Sequence, residues 1–278
     1  MIHRYSSNNV RVRGLRRLAR DRGYRHERRA FVVEGPGLVS DALDAGLDVG
    51  MVVVPESALD DARVGSRLES LLARADVTGA DVGTVPDNIF DGLSSTGTPQ
   101  PALAEVGFVD MDTDVMLAAV QPGCPLLVLV ELADPGNVGT LLRSAEAFGA
   151  AGVLIVGGVD LYNPKVVRAA AGSAFRLPLA TVGYESILEM LGRLSEAGID
   201  TWATVPVGGA KLGDVVATDQ QVAIVLGNEP HGLDATVLAA CNGTATVETA
   251  GGVDSLNVAV AGSVALYELR RSRNTDNS

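Results

Sequence analysis

Short apolar runs alternate with amphipathic segments along the whole chain, a pattern typical of α/β proteins. Near the start, Val12, Leu15 and Leu18 fall at helical spacing, which predicts a helix over residues 9–22 that ends at Gly23. Strands are expected next at 31–33, 49–54, 82–85 and 104–108, with helices at 36–45, 68–75 and 87–93. Alternating strands and helices predict a small α/β domain over residues 1–108.

The second half of the chain shows the same alternation more clearly. Apolar strands are expected at 126–132, 153–156, 201–204, 222–226 and 244–247, and helices at 138–148, 165–171, 186–197, 234–240 and 256–271. Strands that are apolar throughout, each followed by a helix, indicate a parallel sheet covered on both faces. The pattern predicts a second domain over residues 125–278.

Between the two halves, residues 109–124 carry Asp110, Asp112 and Asp114 at alternate positions. Alternating aspartates can bind a hard cation, but no glycine-bearing loop with a terminal glutamate follows them. A solvated linker over residues 109–124 is therefore the favoured interpretation.

Charge is divided unevenly along the chain. Residues 1–30 hold ten arginines against two acids, a balance of +8, so the total of −12 leaves −20 on the other 248 residues. A basic arm on an acidic body is typical of binding to a polyanion such as RNA. The alternative is a solvated basic helix with no partner. The arm arginines expected to contact RNA are Arg11, Arg13, Arg16, Arg17, Arg20 and Arg28.

Hydropathy and cysteine content exclude other classes of protein. Mean hydropathy is high at +0.23, yet no run of about 18 uncharged apolar residues is present, so no membrane span is predicted. The N-terminal arginines stand where a signal peptide needs apolar residues. Two cysteines in 278 residues form no disulfide framework, and a soluble cytoplasmic protein is expected. The scattered histidines His3, His26 and His231 lack metal-ligand spacing, so no metal site is predicted.

Three segments at expected strand ends combine glycine with polar side chains, at the edge where parallel sheets bind ligands. They span residues 134–149, 225–233 and 251–261. In the first, Asn137 is placed to cap a helix, and Arg143, six positions on, is rotated well away from it. None of the segments is a phosphate loop, a dinucleotide fingerprint or a hydrolase nucleophile elbow.

Taken in order, these segments resemble the signature motifs of the SpoU (TrmH-like) branch of the SPOUT RNA methyltransferases. The first is similar to the family's Asn-x5-Arg helix, the second to its Gly-x-Glu-x-x-Gly-Leu loop, and the third to its Ser-Leu-Asn-Val helix start. Residues 1–108, with Phe-Val-Val-Glu-Gly at 31–35 and Thr-Pro-Gln at 98–100, resemble the substrate-binding domain of the ribosomal-RNA members. One departure is Val247-Glu248-Thr249, where the family usually has Ile-Pro-Met; it puts ordinary cofactor affinity in question unless Glu248 is simply a solvated loop residue.

The resemblance implies methyl transfer from S-adenosylmethionine to a ribose 2′-hydroxyl of RNA. It also implies a small N-terminal α/β RNA-binding domain, a C-terminal α/β-knot (SPOUT) domain with a trefoil-knotted parallel sheet, and a homodimer. The basic arm and the separate first domain favour 23S ribosomal RNA as substrate. Transfer RNA is the alternative substrate, and a non-catalytic RNA-binding protein that keeps the fold is an alternative class. A nucleotide-dependent metabolic enzyme would leave the arm unexplained.

The resemblance also assigns residues. The catalytic residues it implies are Asn137, Arg143, Glu229, Ser255 and Asn257, and the cofactor-binding residues are Leu226, Gly227, Asn228, Val247 and Leu256. Arg168 is either a further phosphate contact or a surface arginine. Arg143 is a general base in one interpretation. Because a guanidinium keeps its proton at neutral pH, we favour a role in holding a phosphate and stabilising charge on the 2′-oxygen. Asn137 would orient Arg143 or the ribose, with Glu229 fixing the arrangement.

Overall fold

The computed structural model describes residues 2–94, 98–121, 123–215, 221–250 and 255–275. The chain divides into two compact units. The first comprises Met1–Val109 together with Tyr162–Phe175, and the second comprises Asp110–Leu161 together with Arg176–Ser278.

The first unit contains a five-stranded mixed sheet with strand order β1-β4-β3-β5-β2. Its strands are β1 (His3–Arg4), β2 (Ala30–Glu34), β3 (Val49–Pro55), β4 (Asp81–Val85) and β5 (Leu103–Gly107). Its helices up to residue 109 are α1 (Val10–Arg20), α2 (Arg22–Arg28), α3 (Pro36–Asp44), α4 (Glu56–Asp60), α5 (Gly65–Val77) and α6 (Asp87–Asp91). β1, β4 and β3 are parallel, whereas β5 runs antiparallel to both β3 and β2.

Helix α1 packs into the core of the first unit. Val12, Leu15 and Leu18 are each 1% exposed and belong to the same apolar cluster as residues of β2, β3 and α6. The helix ends at Arg20 because Asp21 has extended backbone, and the Asp21 carboxylate then accepts from the Tyr24 amide at 3.0 Å to begin α2. The expectation that Gly23 ends the helix is therefore wrong.

The second unit contains a seven-stranded sheet with strand order β10-β12-β9-β11-β6-β7-β8, and every neighbouring pair is parallel. The strands are β6 (Leu126–Val130), β7 (Gly152–Val156), β8 (Leu179–Val182), β9 (Ile199–Thr204), β10 (Ala210–Lys211), β11 (Gln221–Leu226) and β12 (Gly243–Thr246). The α-helices described in this unit are α7 (Thr113–Ala118), α8 (Pro135–Ala147), α10 (Ile187–Glu196), α11 (Leu212–Val215), α12 (Ala235–Ala240) and α13 (Val258–Thr275), whereas α9 (Pro164–Ala169) belongs to the first unit. The predicted α/β fold with a parallel sheet is confirmed.

Burial in the second unit agrees with this strand order, because its most buried strands are internal to the sheet. β6 and β7 are buried at every position, and β11 is buried at all but its first residue. Uninterrupted apolar strands of this kind are stable only where helices cover both faces of the sheet. β8 and β10 were not expected from the sequence, since both lie at sheet edges and are short or half-exposed.

The predicted linker contains structure that belongs to the second unit. Asp112 begins α7 by accepting from the Asp114 amide at 2.8 Å, and Met116 of this helix is buried in the core of that unit. Asp110 accepts from the Thr181 hydroxyl at 2.8 Å, and Asp114 pairs with Arg193. The alternating aspartates thus hold α7 and its flank in place.

Residues Tyr162–Phe175 lie after β7 in the chain but belong to the first unit. Tyr162 stacks on Phe108 with ring centroids 3.6 Å apart, packs against Phe31 at 4.9 Å, and accepts a hydrogen bond from the Val109 amide through its hydroxyl. The sequence analysis places this segment in the second domain, 125–278. Aromatic packing of this kind between distant residues leaves no periodic signal in the chain.

Among the described residues, no helix is both long and apolar enough to cross a membrane.

Candidate functional site

A cavity of about 700 Å³ lies in the second unit where the second and third glycine-rich segments meet. All five residues expected to bind the cofactor line it: Leu226, Gly227, Asn228, Val247 and Leu256. Glu229, Ser255 and Asn257 line it as well, whereas Asn137 and Arg143 do not appear in its wall. Gly251–Asp254, which begin the third segment, lie outside the described residues.

The turn that follows β11 forms part of the cavity wall. Gly227 is buried, and a Cβ there would lie 2.6 Å from the Gly232 carbonyl carbon and 2.7 Å from the Leu233 amide nitrogen. The loop folds back because the Gly232 amide donates to the Asn228 carbonyl at 2.8 Å. Gly232 itself has φ +67°, a conformation that favours glycine. Both glycines of the second motif are therefore required by the backbone path.

Asn228 turns its side chain toward the end of β6. Its Nδ2 donates to the Glu131 carbonyl at 2.8 Å. Its Oδ1 is buried and has no hydrogen-bond partner among the described residues. Because a buried acceptor left unpaired is costly, this oxygen is suited to receive a donor from a ligand in the cavity.

Three polar side chains connect the three motifs in a row. Asn257 Nδ2 donates to Asn137 Oδ1 at 3.1 Å, and Asn137 Nδ2 donates to Glu229 Oε1 at 2.9 Å. The Glu229 carboxylate also accepts from the amides of Ala133 and Asp134, at 3.3 and 3.4 Å. The row joins the starts of α8 and α13 to the loop after β11.

This hydrogen bonding determines the charge state of Glu229. Burial raises the pKa of the Glu229 carboxyl, but the bonds from Asn137 and from backbone amides, including those of Ala133 and Asp134, outweigh it. The pKa of Glu229 therefore lies below the ordinary value for glutamate. Glu229 is an anion at neutral pH that accepts hydrogen bonds and does not supply a proton.

Asp134, and not Asn137, caps helix α8. The Asp134 carboxylate accepts from the amides of Gly136 and Asn137 at 2.6 and 3.0 Å. The expected capping role of Asn137 is wrong, since Asn137 is the third residue of the helix. Its side chain is instead available for Glu229 and Asn257. Asn257 does cap its own helix, α13, since its Oδ1 accepts from the Ala259 amide at 2.9 Å.

Arg143 projects from the middle of α8. Its side chain is exposed, and it makes no hydrogen bond or ion pair with any other described residue. An arginine without an internal partner on this helix is free to meet a phosphate or a developing oxyanion.

The segment that departs from the family pattern keeps the cavity intact. Val247 and Thr249 both line the cavity. Glu248 between them pairs with Lys211 at 2.9 Å, with both side chains about two-thirds exposed. Glu248 is not among the residues that line the cavity, so it lies outside the wall. This placement agrees with the interpretation of Glu248 as a surface residue.

The arginines expected to contact RNA fall into two groups. Arg13, Arg16 and Arg28 are exposed and make no hydrogen bond or ion pair with other described residues. The others have internal contacts: Arg11 with Asp81 and the Gly50 carbonyl, Arg17 with Asp21 and the Tyr24 ring, and Arg20 with the Gly92 carbonyl.

Arg168 is held within the first unit. Its guanidinium lies 3.2 Å from Glu34, whose side chain is only 8% exposed and also accepts from the Ser94 hydroxyl and the Gln100 amide. A charge that compensates a nearly buried carboxylate is constrained to that partner. Arg168 is thus exposed at the surface, as one of its two interpretations expects, and is paired with Glu34.

Sequence reasoning missed part of the cavity wall. Residues 204–207, which begin at the last residue of β9, also line the cavity, as does His231 inside the second motif. The 204–207 segment reaches the cavity because β9 pairs with β11, and no motif marks that pairing.

Comparison with known proteins decides the family. Residues 125–267 match the model of the SpoU rRNA Methylase family, and residues 9–104 match an MRM3-like substrate binding domain. The chain belongs to the SpoU rRNA methylase family. The resemblance stated from the three motifs is confirmed, and with it an S-adenosylmethionine-dependent enzyme that methylates RNA on the ribose 2′-oxygen.

Two proteins of known activity are similar to this SpoU-family enzyme over almost the full length of both chains. It is 29% identical to 23S rRNA (guanosine(2553)-2′-O)-methyltransferase RlmP of Bacillus subtilis, over 95% of this chain and 98% of the relative. It is also 29% identical to a 23S rRNA (uridine(2479)-2′-O)-methyltransferase of Streptomyces viridochromogenes, over 97% of this chain and 92% of the relative. An AdoMet-bound rRNA methyltransferase structure from Sinorhizobium meliloti matches with a TM-score of 0.84, 28% identity and 98% coverage of both chains.

The cavity residues fit S-adenosylmethionine. Ligand pockets usually enclose ~300–1,000 Å³, and the cavity of about 700 Å³ lies in that range. The unpaired Oδ1 of Asn228 offers an acceptor for a nucleoside N–H or O–H. Gly227 belongs to the cavity wall, and Leu226 and Leu256 supply apolar atoms to it.

Proposed function

We propose that this SpoU-family enzyme methylates a ribose 2′-hydroxyl of 23S ribosomal RNA. The observation that carries the proposal is the full-length similarity to two enzymes named for 23S rRNA, which extends over 95% and 97% of this chain and so includes the first unit. A substrate-binding domain that is shared with such enzymes is a reason to expect a shared class of RNA. Because bacterial ribosomal RNA is cytoplasmic, the enzyme is expected to act there.

The proposed binding surface for RNA is the exposed face of α1 and α2. Arg13, Arg16 and Arg28 lie there without partners among the described residues, and α1 is anchored by the buried Val12, Leu15 and Leu18. Cations held on a rigid scaffold bind phosphates without a large cost in ordering. Arg17 and Arg20 can add to this surface at the expense of weak internal contacts.

In the proposed catalytic arrangement, the hydrogen-bonded row of Asn257, Asn137 and Glu229 fixes the positions of the helix starts at the cavity. When bound, S-adenosylmethionine supplies a methyl group to the attacking 2′-oxygen. Glu229 holds Asn137, and Asn137 holds Asn257, so the first turns of α8 and α13 keep one relative geometry at the cavity. Ser255, which is exposed and lines the cavity, would contact the ribose. Arg143 holds a phosphate and neutralises charge that develops on the 2′-oxygen.

The proposed homodimer would bury an apolar stripe on α13. Val260 and Tyr267 are each 49% exposed, and Val264 between them is half-buried on the same helix face. Tyr267 packs against Phe148 at the end of α8, with ring centroids 5.7 Å apart. A Val260→Glu variant should be monomeric by light scattering if this stripe is the interface, and an unchanged mass would reject it.

The substrate proposal is tested with purified protein and labelled S-adenosylmethionine. Methyl incorporation is measured on protein-free 23S rRNA, on 16S rRNA and on total transfer RNA, with the modified ribose located by alkaline-hydrolysis mapping. One site in 23S rRNA that depends on the wild-type protein and disappears with Arg143→Ala supports the proposal. Incorporation only into transfer RNA would overturn it.

A further inference from the structure

Two motifs of the first unit, Phe-Val-Val-Glu-Gly and Thr-Pro-Gln, have no role in the function proposed above. The structure joins them through Glu34, the last residue of β2, whose Oε1 accepts from the Gln100 amide at 3.1 Å. The same oxygen accepts from the Ser94 hydroxyl at 2.9 Å, and Oε2 accepts from Arg168 at 3.2 Å. One nearly buried carboxylate therefore holds two residues between α6 and β5 together with an arginine of α9.

Arg168 is held by one nitrogen and leaves the rest of its guanidinium at the surface. Its Nη2 meets Glu34, and its side chain, 46% exposed, makes no hydrogen bond or ion pair with any other described residue. Helix α9 is itself anchored, since Val166 and Val167 are buried and the helix packs against β2. Because a guanidinium is a rigid planar fork, holding one nitrogen also fixes the direction of the remaining donors. Arg168 therefore presents oriented N–H groups to solvent.

A second cation lies on the same side of α9. Lys165 is three positions before Arg168, which places the two side chains on one face of the helix. Lys165 is exposed, and its ammonium makes no hydrogen bond or ion pair within the part of the chain that the structure describes. The helix sequence, Pro-Lys-Val-Val-Arg-Ala, contains no acid, although the chain after residue 30 is strongly acidic overall. A cationic helix face in an acidic sequence is suited to contact a polyanion.

The segment 92–94, at the end of α6, connects these cations to the basic face of α1. On one side of the segment, Arg20 donates to the carbonyl of its first residue at 3.1 Å. A Cβ on that residue, a glycine, would lie 3.1 Å from Arg16 Nη2. On the other side, the serine that ends the segment donates to Glu34. The cations of α1 and α9 thus lie on adjoining elements of the first unit.

We propose that α9 is a second RNA-contacting element, in which Lys165 and Arg168 bind phosphates and Glu34 is the positioning residue for Arg168. This deepens the proposed function and rests on it, because it concerns the same RNA. Helix α9 lies within residues 125–267, which match the methylase model, yet it belongs to the first unit. The RNA contacts of the first unit are then not confined to residues 9–104, which match the substrate-binding model.

The first test measures the affinity for protein-free 23S rRNA across a salt series. Lys165→Ala, which breaks no contact between described side chains, should flatten the slope of log K against log salt by about 0.7 units, and Lys165→Ala with Arg168→Gln by about 1.4 units. Cofactor affinity, measured by calorimetry, should change less than about twofold. Arg63→Ala with Arg67→Ala, which removes two exposed charges from the same unit, is the matched control. Slope changes no larger than in this control would overturn the proposal.

The second test uses Glu34→Gln, for which a positioning role and simple electrostatics predict opposite signs. Removing a negative charge beside cations would by itself strengthen binding to RNA. Losing the fixed direction of Arg168 should instead lower the RNA affinity at least about threefold. The single-turnover methylation rate at saturating RNA should stay within about twofold of wild type. Arg168→Gln should have little further effect on RNA affinity in the Glu34→Gln protein, because both changes remove one interaction.

An RNA affinity of Glu34→Gln that equals or exceeds that of wild type would reject the positioning role of Glu34. If Arg13→Ala with Arg16→Ala flattens the salt slope and the α9 variants do not, the proposed surface on α1 stands and the contact through α9 fails. If the wild type methylates transfer RNA and not 23S rRNA, the proposed substrate fails, whereas both tests of α9 are then performed on transfer RNA.

Discussion

The row formed by Asn257, Asn137 and Glu229 should behave as one unit, which a double-mutant cycle can measure. Glu229→Gln replaces one acceptor oxygen with an NH2 group that faces the Asn137 amide or a backbone N–H. Asn137→Ala removes both the bond to Glu229 at 2.9 Å and the bond from Asn257 at 3.1 Å. Either change alone breaks the same link between α8 and the loop after β11.

The magnitude follows from the bonds that are lost. A hydrogen bond to a charged group contributes ~1.5–3 kcal/mol, but Glu229 is largely exposed and its two backbone bonds are long, at 3.3 and 3.4 Å. Only the bond from Asn137 has good geometry, at 2.9 Å. Solvent screening lowers its contribution to about 1–2 kcal/mol. That corresponds to about a 5- to 30-fold loss in the methylation rate constant for each single variant.

The assay is single-turnover methylation of ribosomal RNA by wild type, Glu229→Gln, Asn137→Ala and the double variant. Because both residues serve one interaction, the double variant should be no slower than the slower single variant, with a coupling energy of ~1–2 kcal/mol. Glu189→Gln, an exposed glutamate on α10, is the matched control. Strictly multiplicative losses of the methylation rate would show that the two side chains act independently, and would refute the proposal that they act as one unit.

Other substitutions test separate parts of the site. Arg143→Ala and Arg143→Lys should each lower the rate of methyl transfer by at least about 100-fold, within the range for loss of an oxyanion donor. Lysine does not substitute because an ammonium lacks the planar set of donors of a guanidinium. Calorimetry should show that the affinity for the cofactor is almost unchanged. Gly227→Ala should weaken cofactor binding at least about tenfold, since its Cβ would lie 2.6 Å from the backbone of residue 232. The pair Arg13→Ala and Arg16→Ala should flatten the slope of log K for RNA against log salt by about 1.4 units. Acidification should break the hydrogen bonds between Asn257, Asn137 and Glu229 only below about pH 4.3, the ordinary pKa of glutamate. The reason is that the pKa of Glu229 is lowered, so the stabilisation from its carboxylate persists above that value. Circular dichroism and the methylation rate, measured against pH, test this.

Near-normal turnover of either Arg143 variant would reject its assignment, and a Gly227→Ala protein that binds cofactor normally would reject the tight turn. Arg63→Ala with Arg67→Ala removes two exposed charges from the first unit outside α1 and α2. An equal change in the salt slope for that pair would mean that RNA senses the charge of the whole unit.

Deletion of residues 1–30 does not test RNA binding cleanly. It removes Val12, Leu15 and Leu18 from the core of the first unit, and losing a buried leucine alone costs ~2–5 kcal/mol. The arm is therefore both a structural helix and a basic surface. Only substitutions on its exposed face separate the two roles.

The strands and helices of the second unit were largely predictable because they are governed by local patterns. β6, β7 and β11 are apolar at nearly every position and bounded by turn residues. Edge strands β8 and β10 have no such signal, and α7 was hidden in a polar segment whose aspartates serve as caps and ion pairs. Local periodicity reports burial, so short elements with mixed burial escape it.

The sequence by itself determined the family, because three motifs in a fixed order specify backbone turns and polar side chains that few folds share. It also determined that Gly227, Asn228 and Glu229 stand at a strand end. Only the tertiary structure decided that Asn257 and Asn137, 120 residues apart, are hydrogen-bonded, that Asp134 and not Asn137 caps α8, and that Tyr162 belongs to the first unit. The physical reason is that such contacts depend on which strands become neighbours. That order is set by packing of the whole sheet, where the β9–β11 and β11–β6 pairings bring distant chain segments to one edge.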